Sequence, residues 1–385
     1  MKFDVVIVGG GLAGLSLAVA LEHSSLKVAV VEARAPRRSD GWDARIYAVS
    51  PSNQAYLQSL GVWRCMDEAR LTQVETMEIA GDGTGRLDFS AYDAGVSELA
   101  WIAEASAMQC ASWERLARAG RASVLCPVQP VHLSLGGETA VLSLEDGREL
   151  ETDLVVAADG VNSWVRQAAG LEANFRDYDQ MGLVANFECS LPHRGTACQW
   201  FRRDGVLAYL PLPGNRISIV WSTHNPHAGE LLGLSAEALA DRVAVAGRHR
   251  FGDLSLMAPA QAFPLRWMRA TSVCAPHLAL IGDAAHAVHP LSGHGINLGF
   301  HDAAVLGRLL GEKPAHIRCG SLEWLRRYER ARKEEVMLVQ TLTDSLQRLF
   351  APDWAALSVL RNFGMNLTNA TPVAKDLLIR YAVAS

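Results

Sequence analysis

The chain has 385 residues, 49% of them hydrophobic, and a formal charge of −5. That length supports a large core and two domains sharing an interface, and an acidic balance without a long basic run excludes nucleic acid as the main partner. Seven scattered cysteines with no C-x-x-C pair exclude a disulfide scaffold and a zinc finger, and suit a reducing compartment.

The first element is "VVIVGGGLAGLSLAVAL" (5–21). It is uncharged but short for a membrane span of roughly 20 residues, and its glycines would weaken a spanning helix. It reads as a buried strand followed by a helix, in a protein that is cytoplasmic and soluble or peripheral at the inner membrane. With "KVAVVE" behind it, residues 4–33 have a β-α-β rhythm. Gly9, Gly11 and Gly14 form G-x-G-x-x-G. The first permits a tight turn, the second lets backbone approach a pyrophosphate, and the third lets helix pack on strand. The helix start, with Leu12 and Ala13, then faces phosphate charge. Glu32 follows 21 residues after Gly11, where an acid accepts hydrogen bonds from ribose hydroxyls.

"DARIYAVSPSNQAYLQSLGVW" (43–63) reads as a loop leading into a helix, with Pro51 near its start and Gly61 at its end. "GDGTGR" (81–86) has the wrong spacing for a second nucleotide fingerprint and is read as having no strand before it. "EDGR" (145–148) marks a hairpin, and 175–270 reads as β-rich, forming one wall of a pocket. "LALI" (278–281) is a strand, "GDAAHAVHPLSGHGIN" (282–297) a glycine- and histidine-rich loop, and the chain after it is mostly helical, with a long amphipathic stretch at 321–350. That stretch reads as packed on the domain rather than against a membrane or partner. His286, His289 and His294 invite a metal reading. Pro290 and the glycines keep the three off one helical face, so no metal is expected and His286 and His289 are read as bonding the loop backbone.

Three motifs in order, "GGGLAG", "DLVVAADGVNSWVR" (153–166) and "LIGDAAHAVHPLSGHGIN" (280–297), resemble the FAD-dependent aromatic hydroxylases, the group A flavoprotein monooxygenases. "DARIYAVSPSNQAYLQSLGVW" and "RNFGMNLTNATPVAKDLLIRYA" (361–382) look like the ubiquinone-biosynthesis hydroxylases within that group. The resemblance implies an α/β fold of the para-hydroxybenzoate-hydroxylase kind: a discontinuous Rossmann-like FAD domain (1–75, 100–174, 271–320), an interleaved β-sheet substrate domain (76–99, 175–270) and a helical C-terminal region (321–385). It implies that Gly9, Gly11, Leu12, Ala13, Gly14 and Glu32 hold the ADP half of FAD, and that Arg45 lies beside the flavin and its phosphates. Asp159 and Gly160, with Arg166 nearby, match the motif that touches FAD and is linked to NAD(P)H use. Asp283 would bind the pyrophosphate–ribityl region, accepting hydrogen bonds from ribityl hydroxyls. Gly293, Gly295, Ile296 and Asn297 would present backbone amides to the flavin ring, whose reduced form is an anion suited to a glycine-rich helix start, and Pro290 of the same loop would also lie against the cofactor.

The sequence departs from the family in two places. His294 stands where the family has glutamine; it is read as replacing an amide donor, or as a catalytic candidate that tunes proton transfer. Ser106 stands where an arginine or glutamine reaches FAD, so Gln109 or Arg115 would substitute. Trp101, Trp200, Trp221 and Tyr209 are aromatic-pocket candidates with sheet core as the alternative, and Tyr178 in "YDQ" matches a family position at the start of the substrate sheet.

The implied activity is hydroxylation of a prenylated phenol or quinol by NAD(P)H and O2 through a flavin C4a-hydroperoxide, with water excluded. The insoluble tail calls for access from a membrane surface, a biosynthetic complex or a lipid-carrier protein. A hydroxylase of a small soluble phenol, a reductase of prenyl double bonds and a non-catalytic flavoprotein scaffold stay open as alternatives.

Overall fold

Val5, Val6 and Ile7 have no accessible surface, and the strand that carries them, Lys2–Val8, lies at the centre of a parallel sheet. It is flanked by Val28–Val31 and Glu149–Ala157. Beyond these lie Ser123–Leu125 and Leu278–Leu280, also parallel. A strand covered on both faces needs an unbroken apolar run, which is what "VVIV" and "VAVV" supply. The computed structural model describes residues 1–289, 294–350, 355–371 and 375. Among them the strands form sheets of eight, nine and three.

The helix Leu12–Ala20 follows the glycine turn and is covered by the helix His294–Gly311. Small residues let the two come close. A Cβ placed on Gly307 would lie 3.2 Å from that of Ala20, and one on Gly299 3.5 Å from that of Ala13. The "EDGR" hairpin joins Ala140–Leu144 to Glu149–Ala157, with Gly147 in the left-handed region at φ 84°.

The nine-stranded sheet centres on Ala173–Cys189, paired antiparallel with Arg216–His224 and Gln261–Ala270. It runs through Gly205–Leu212 and Thr196–Arg202 to Thr76–Ala80 and Arg86–Ser90. Two helices, Asn225–Leu232 and Ala236–Ala246, interrupt the region read as β-rich and cover one face of this sheet. The second is capped by Ser235, whose hydroxyl accepts from the Ala238 amide.

The three-stranded sheet, Ile46–Val49, Ala100–Glu104 and Thr72–Val74, lies in part where the sequence reads as a loop. The helix Pro51–Ser59 then follows as expected, capped by Ser50 and closed at Gly61.

"GDGTGR" corrects one expectation. The strand Thr76–Ala80 precedes it, and the motif is the turn to Arg86–Ser90. Its glycines serve a docking helix. A Cβ on Gly85 would stand 2.4 Å from Asn362 Oδ1, and one on Gly81 2.6 Å from it. Asn362 accepts from the Gly85 amide at 2.6 Å, Asn366 from Arg86 and Asn369 from Asp88. These asparagines, at helical spacing on Ala355–Asn369, close the unpaired edge of the sheet. The helix is reached from the long helix Leu322–Phe350.

Candidate active site

The predicted nucleotide residues converge at the carboxyl ends of the parallel strands, where such sheets bind ligands. Gly9 has φ 111°, and a Cβ there would stand 2.3 Å from the Ala158 carbonyl oxygen. A Cβ on Gly14 would be 2.1 Å from the Gly9 carbonyl oxygen. By contrast, a Cβ on Gly11 meets only Ala158 O at 4.0 Å, so that side of the loop is open. Gly11 is the N-cap of the following helix, with no side-chain cap and no acid in the first turn. Its first amides are therefore free for a phosphate.

Glu32 lies across this turn. It accepts from the Gly10 amide at 2.5 Å and from Arg34 N at 2.9 Å. Gly10, outside the fingerprint, is required too: its Cβ would be 2.9 Å from Glu32 Cγ. Gln109 donates to the Gly10 carbonyl at 2.6 Å. Arg115 instead pairs with Glu22 at 2.8 Å. Of the two residues expected to compensate for Ser106, Gln109 is the one at the loop. Ser106 itself donates its amide to Asp43. Asp43 belongs to a polar knot in which Glu104 accepts from its amide and from Arg70 at two atoms.

Asp283 follows the end of the strand Leu278–Leu280. Its side chain is exposed, yet protein surrounds it at longer range. That burial, with Asp302 nearby, raises its pKa against the pull of His286. Tyr47, which sequence reasoning missed, shares this space. Its hydroxyl is pushed up by burial and by Asp283, and drawn down by Arg45. Arg45 is exposed, and no ion pair to it is found among the described residues. Asp159 accepts from the Val165 amide at 3.0 Å through one oxygen, while its other oxygen is buried without a hydrogen-bond partner. Gly160 has φ 85° and open space beside it.

Several expected residues have other work. Ala13 packs on Gly282 and Gly299. Arg166 is buried and donates to Ala284 O and Val161 O, both at 2.9 Å; burial lowers its pKa, and Asp159 offsets this. Asn297 donates to Ala48 O at 2.9 Å and accepts from the Ser50 amide at 3.0 Å, so its side chain binds the helix His294–Gly311 to the three-stranded sheet. Gly295 and Ile296 share its first turn, which leaves their amides at the helix start. Pro290, Gly293 and the side chain of His294 lie outside the described residues.

Among the described residues His286 bonds a side chain rather than the loop backbone expected of it, and His289 reaches a side chain of the second sheet. His286 Nε2 is 2.7 Å from Asp302, which also accepts from the Gly282 amide at 2.8 Å and from Arg332 at 2.6 Å. Burial alone would raise the Asp302 carboxyl; His286 and Arg332 hold it below its ordinary value. His289 Nε2 is 3.1 Å from Gln180 Oε1, and its ring stands edge-on to Tyr178 with centroids 4.8 Å apart. The flavin-type loop is thus tied to the start of the second sheet.

The aromatic candidates sit elsewhere. Trp200, Tyr209 and Trp221 pack with Leu231, Leu239 and Val243 in the core behind the nine-stranded sheet, and Tyr209 donates to Val243 O at 2.6 Å. Trp101 stacks edge-on to Trp63. The opposite face of the sheet turns toward the first domain: Asn186 donates to Asp43 O at 2.9 Å, and Leu210 and Leu212 pack near Ile46 and Trp42. Gly182, Val184, Ala208 and Val220 share its parity.

The site's polar groups suit FAD: amides at an uncapped helix start to donate, and the carboxyl oxygens of Glu32, Asp159 and Asp283 to accept. A model of the FAD binding domain family matches residues 2–343. The chain is 32% identical to ubiquinone hydroxylase UbiL of Rhodospirillum rubrum, covering 99% of this chain and 90% of the relative. It is 30% identical to 3-demethoxyubiquinol 3-hydroxylase of Escherichia coli, with 99% and 98% covered. The crystal structure of Pseudomonas aeruginosa PqsL with 2-aminobenzoylacetate superposes with a TM-score of 0.79 at 21% identity, covering 96% of this chain and all (100%) of that one.

Proposed function

The chain belongs to the FAD-dependent aromatic hydroxylases and is similar to those of ubiquinone biosynthesis, and from that premise we propose that it hydroxylates the ring of a prenylated phenol or quinol with NAD(P)H and dioxygen. The observation that carries the reading is the open, uncapped helix start at Gly11, within a chain that aligns over nearly its whole length with two ubiquinone-pathway hydroxylases.

FAD bound there supplies the redox chemistry that activates dioxygen. The protein binds and orients. Amides at the Leu12 helix start would hold the pyrophosphate, and Glu32 would exchange its Gly10 contact for ribose hydroxyls. Asp283 would accept from ribityl hydroxyls; its raised proton affinity eases its place near phosphate charge. Gly295 and Ile296 amides would face the ring's anionic edge. The small and apolar residues Gly182, Val184, Ala208 and Val220 would form the dry wall against which an aromatic ring lies.

The test is to load the protein with FAD, record its visible spectrum and follow anaerobic bleaching by NAD(P)H. The reading predicts bound flavin that bleaches faster when a prenylated phenol is present. Failure to bind FAD, or bleaching indifferent to any phenol, would overturn it.

A further inference from the structure

The long helix Leu322–Phe350 carries two different exposed halves. Toward its start the outward side chains are mainly basic: Arg326, Arg327, Arg330 and Lys333, against Glu323 and Glu334. Beyond residue 336 large apolar side chains come to the surface, Met337, Leu338, Leu342 and Leu349, with Thr341, Ser345 and Arg348 among them. The next helix, Ala355–Asn369, adds Phe363 and Leu367. These six apolar side chains are 38 to 62% exposed. The two helices touch, since Arg361 donates to Leu349 O at 2.7 Å. Leu338 and Leu342 lie one turn apart, as do Phe363 and Leu367, so each pair shares a face.

The inward face of the same stretch packs on the candidate active site. Val336 and Val339 meet Leu298 and Val288. Gln340 donates to Ala287 O and Met268 O, and Asp344 pairs with Arg176 beside Tyr178. The exposed apolar stretch is therefore one helix diameter, about 10 Å, from the end of the flavin-type loop.

We propose that this face docks on an anionic bilayer, with the apolar half entering the interface and the basic half meeting lipid headgroups. Net charge decides the occupant. The chain is acidic overall at −5, yet the outward side of this helix start is basic, next to an apolar stripe. That combination marks a helix lying in a membrane surface. Among the described residues no helix is long and apolar enough to cross a membrane, so docking is peripheral. The proposal rests on the prenylated-substrate reading: it places the site's edge where an insoluble tail resides.

The experiment is co-sedimentation of FAD-loaded protein with vesicles of phosphatidylcholine, alone or mixed with phosphatidylglycerol. The protein binds the mixed vesicles, and binding weakens with added salt. The variant Leu338→Ser with Leu342→Ser binds at least about tenfold more weakly to both. Arg330→Glu with Lys333→Glu loses affinity for the anionic vesicles, about fivefold per charge, and loses the salt dependence. Both variants keep bound FAD and unchanged turnover of a short-tailed, water-soluble phenol. Wild-type protein that stays in the supernatant overturns the proposal, as does a self-association that the leucine variant abolishes while vesicle binding persists. A leucine variant that melts early and sheds FAD also overturns it, because the face is then covered by the protein's own chain. Vesicle binding without hydroxylation would sink the substrate reading and leave the surface standing; hydroxylation without vesicle binding would sink the surface alone.

Discussion

Gly14 shows how much a single missing methyl group controls. Its built Cβ would lie 2.1 Å from the Gly9 carbonyl oxygen, inside the turn proposed to hold the pyrophosphate. Gly14→Ala is expected to weaken FAD binding by at least about tenfold, read by flavin titration, while the far sheet and its melting transition change little. His289 yields a pH prediction. Burial lowers its pKa from 6.5 to about 4. In that window the unfolded chain takes up a proton that the native state refuses, so stability falls as pH drops from the upper value to the lower. The loss reaches on the order of 3 kcal/mol. Comparing melting temperatures at about pH 7 and about pH 5, His289→Gln should lose less than wild type on acidification. Equal losses would show that His289 is not the group responsible. Glycine spacing and the acid after the second strand were legible residue by residue, because turn geometry and phosphate chemistry admit few substitutes. Gln109 was named only as one of two options, since reach from a helix depends on where that helix sits. Tyr47 carried no signal: a tyrosine in a short apolar run looks like any strand residue.

At the scale of elements, alternation in a strand says that one side is buried but not which partner buries it. Trp200, Tyr209 and Trp221 have consistent parity, and helices Asn225–Leu232 and Ala236–Ala246 took that side. Those helices were hidden by the surrounding β pattern, although Pro226 and Ser235 stand where helices begin. "GDGTGR" was read only as lacking a nucleotide fingerprint, and its glycines make sense beside Asn362, far along the chain. Gly85→Ala puts a methyl group 2.4 Å from the Asn362 oxygen and 2.9 Å from its Cα. We expect the helix Ala355–Asn369 to loosen, seen as faster proteolysis there, with FAD affinity retained. Unchanged proteolysis would mean the asparagine ladder tolerates the displacement.

The whole molecule joins a parallel nucleotide sheet to an antiparallel sheet, with links between them: Asn186 to Asp43, Gln180 to His289. A second set of links runs behind it. Asp302 and Arg332 bind the Gly282 turn to the long helix, and Glu335 reaches on to His301. The fold class was readable because its motifs are local, whereas these buried pairs join residues with no sequence signature of partnership. Holding the loop from both sides suits a site that must exclude water while a reactive oxygen is delivered. The central claim is that delivery, and one measurement addresses it most directly: product mass after aerobic turnover of a prenylated phenol with FAD, NAD(P)H and isotopically labelled dioxygen. A ring-hydroxylated product carrying one labelled oxygen atom is expected. NAD(P)H oxidation that yields only hydrogen peroxide and returns the phenol unchanged would contradict it.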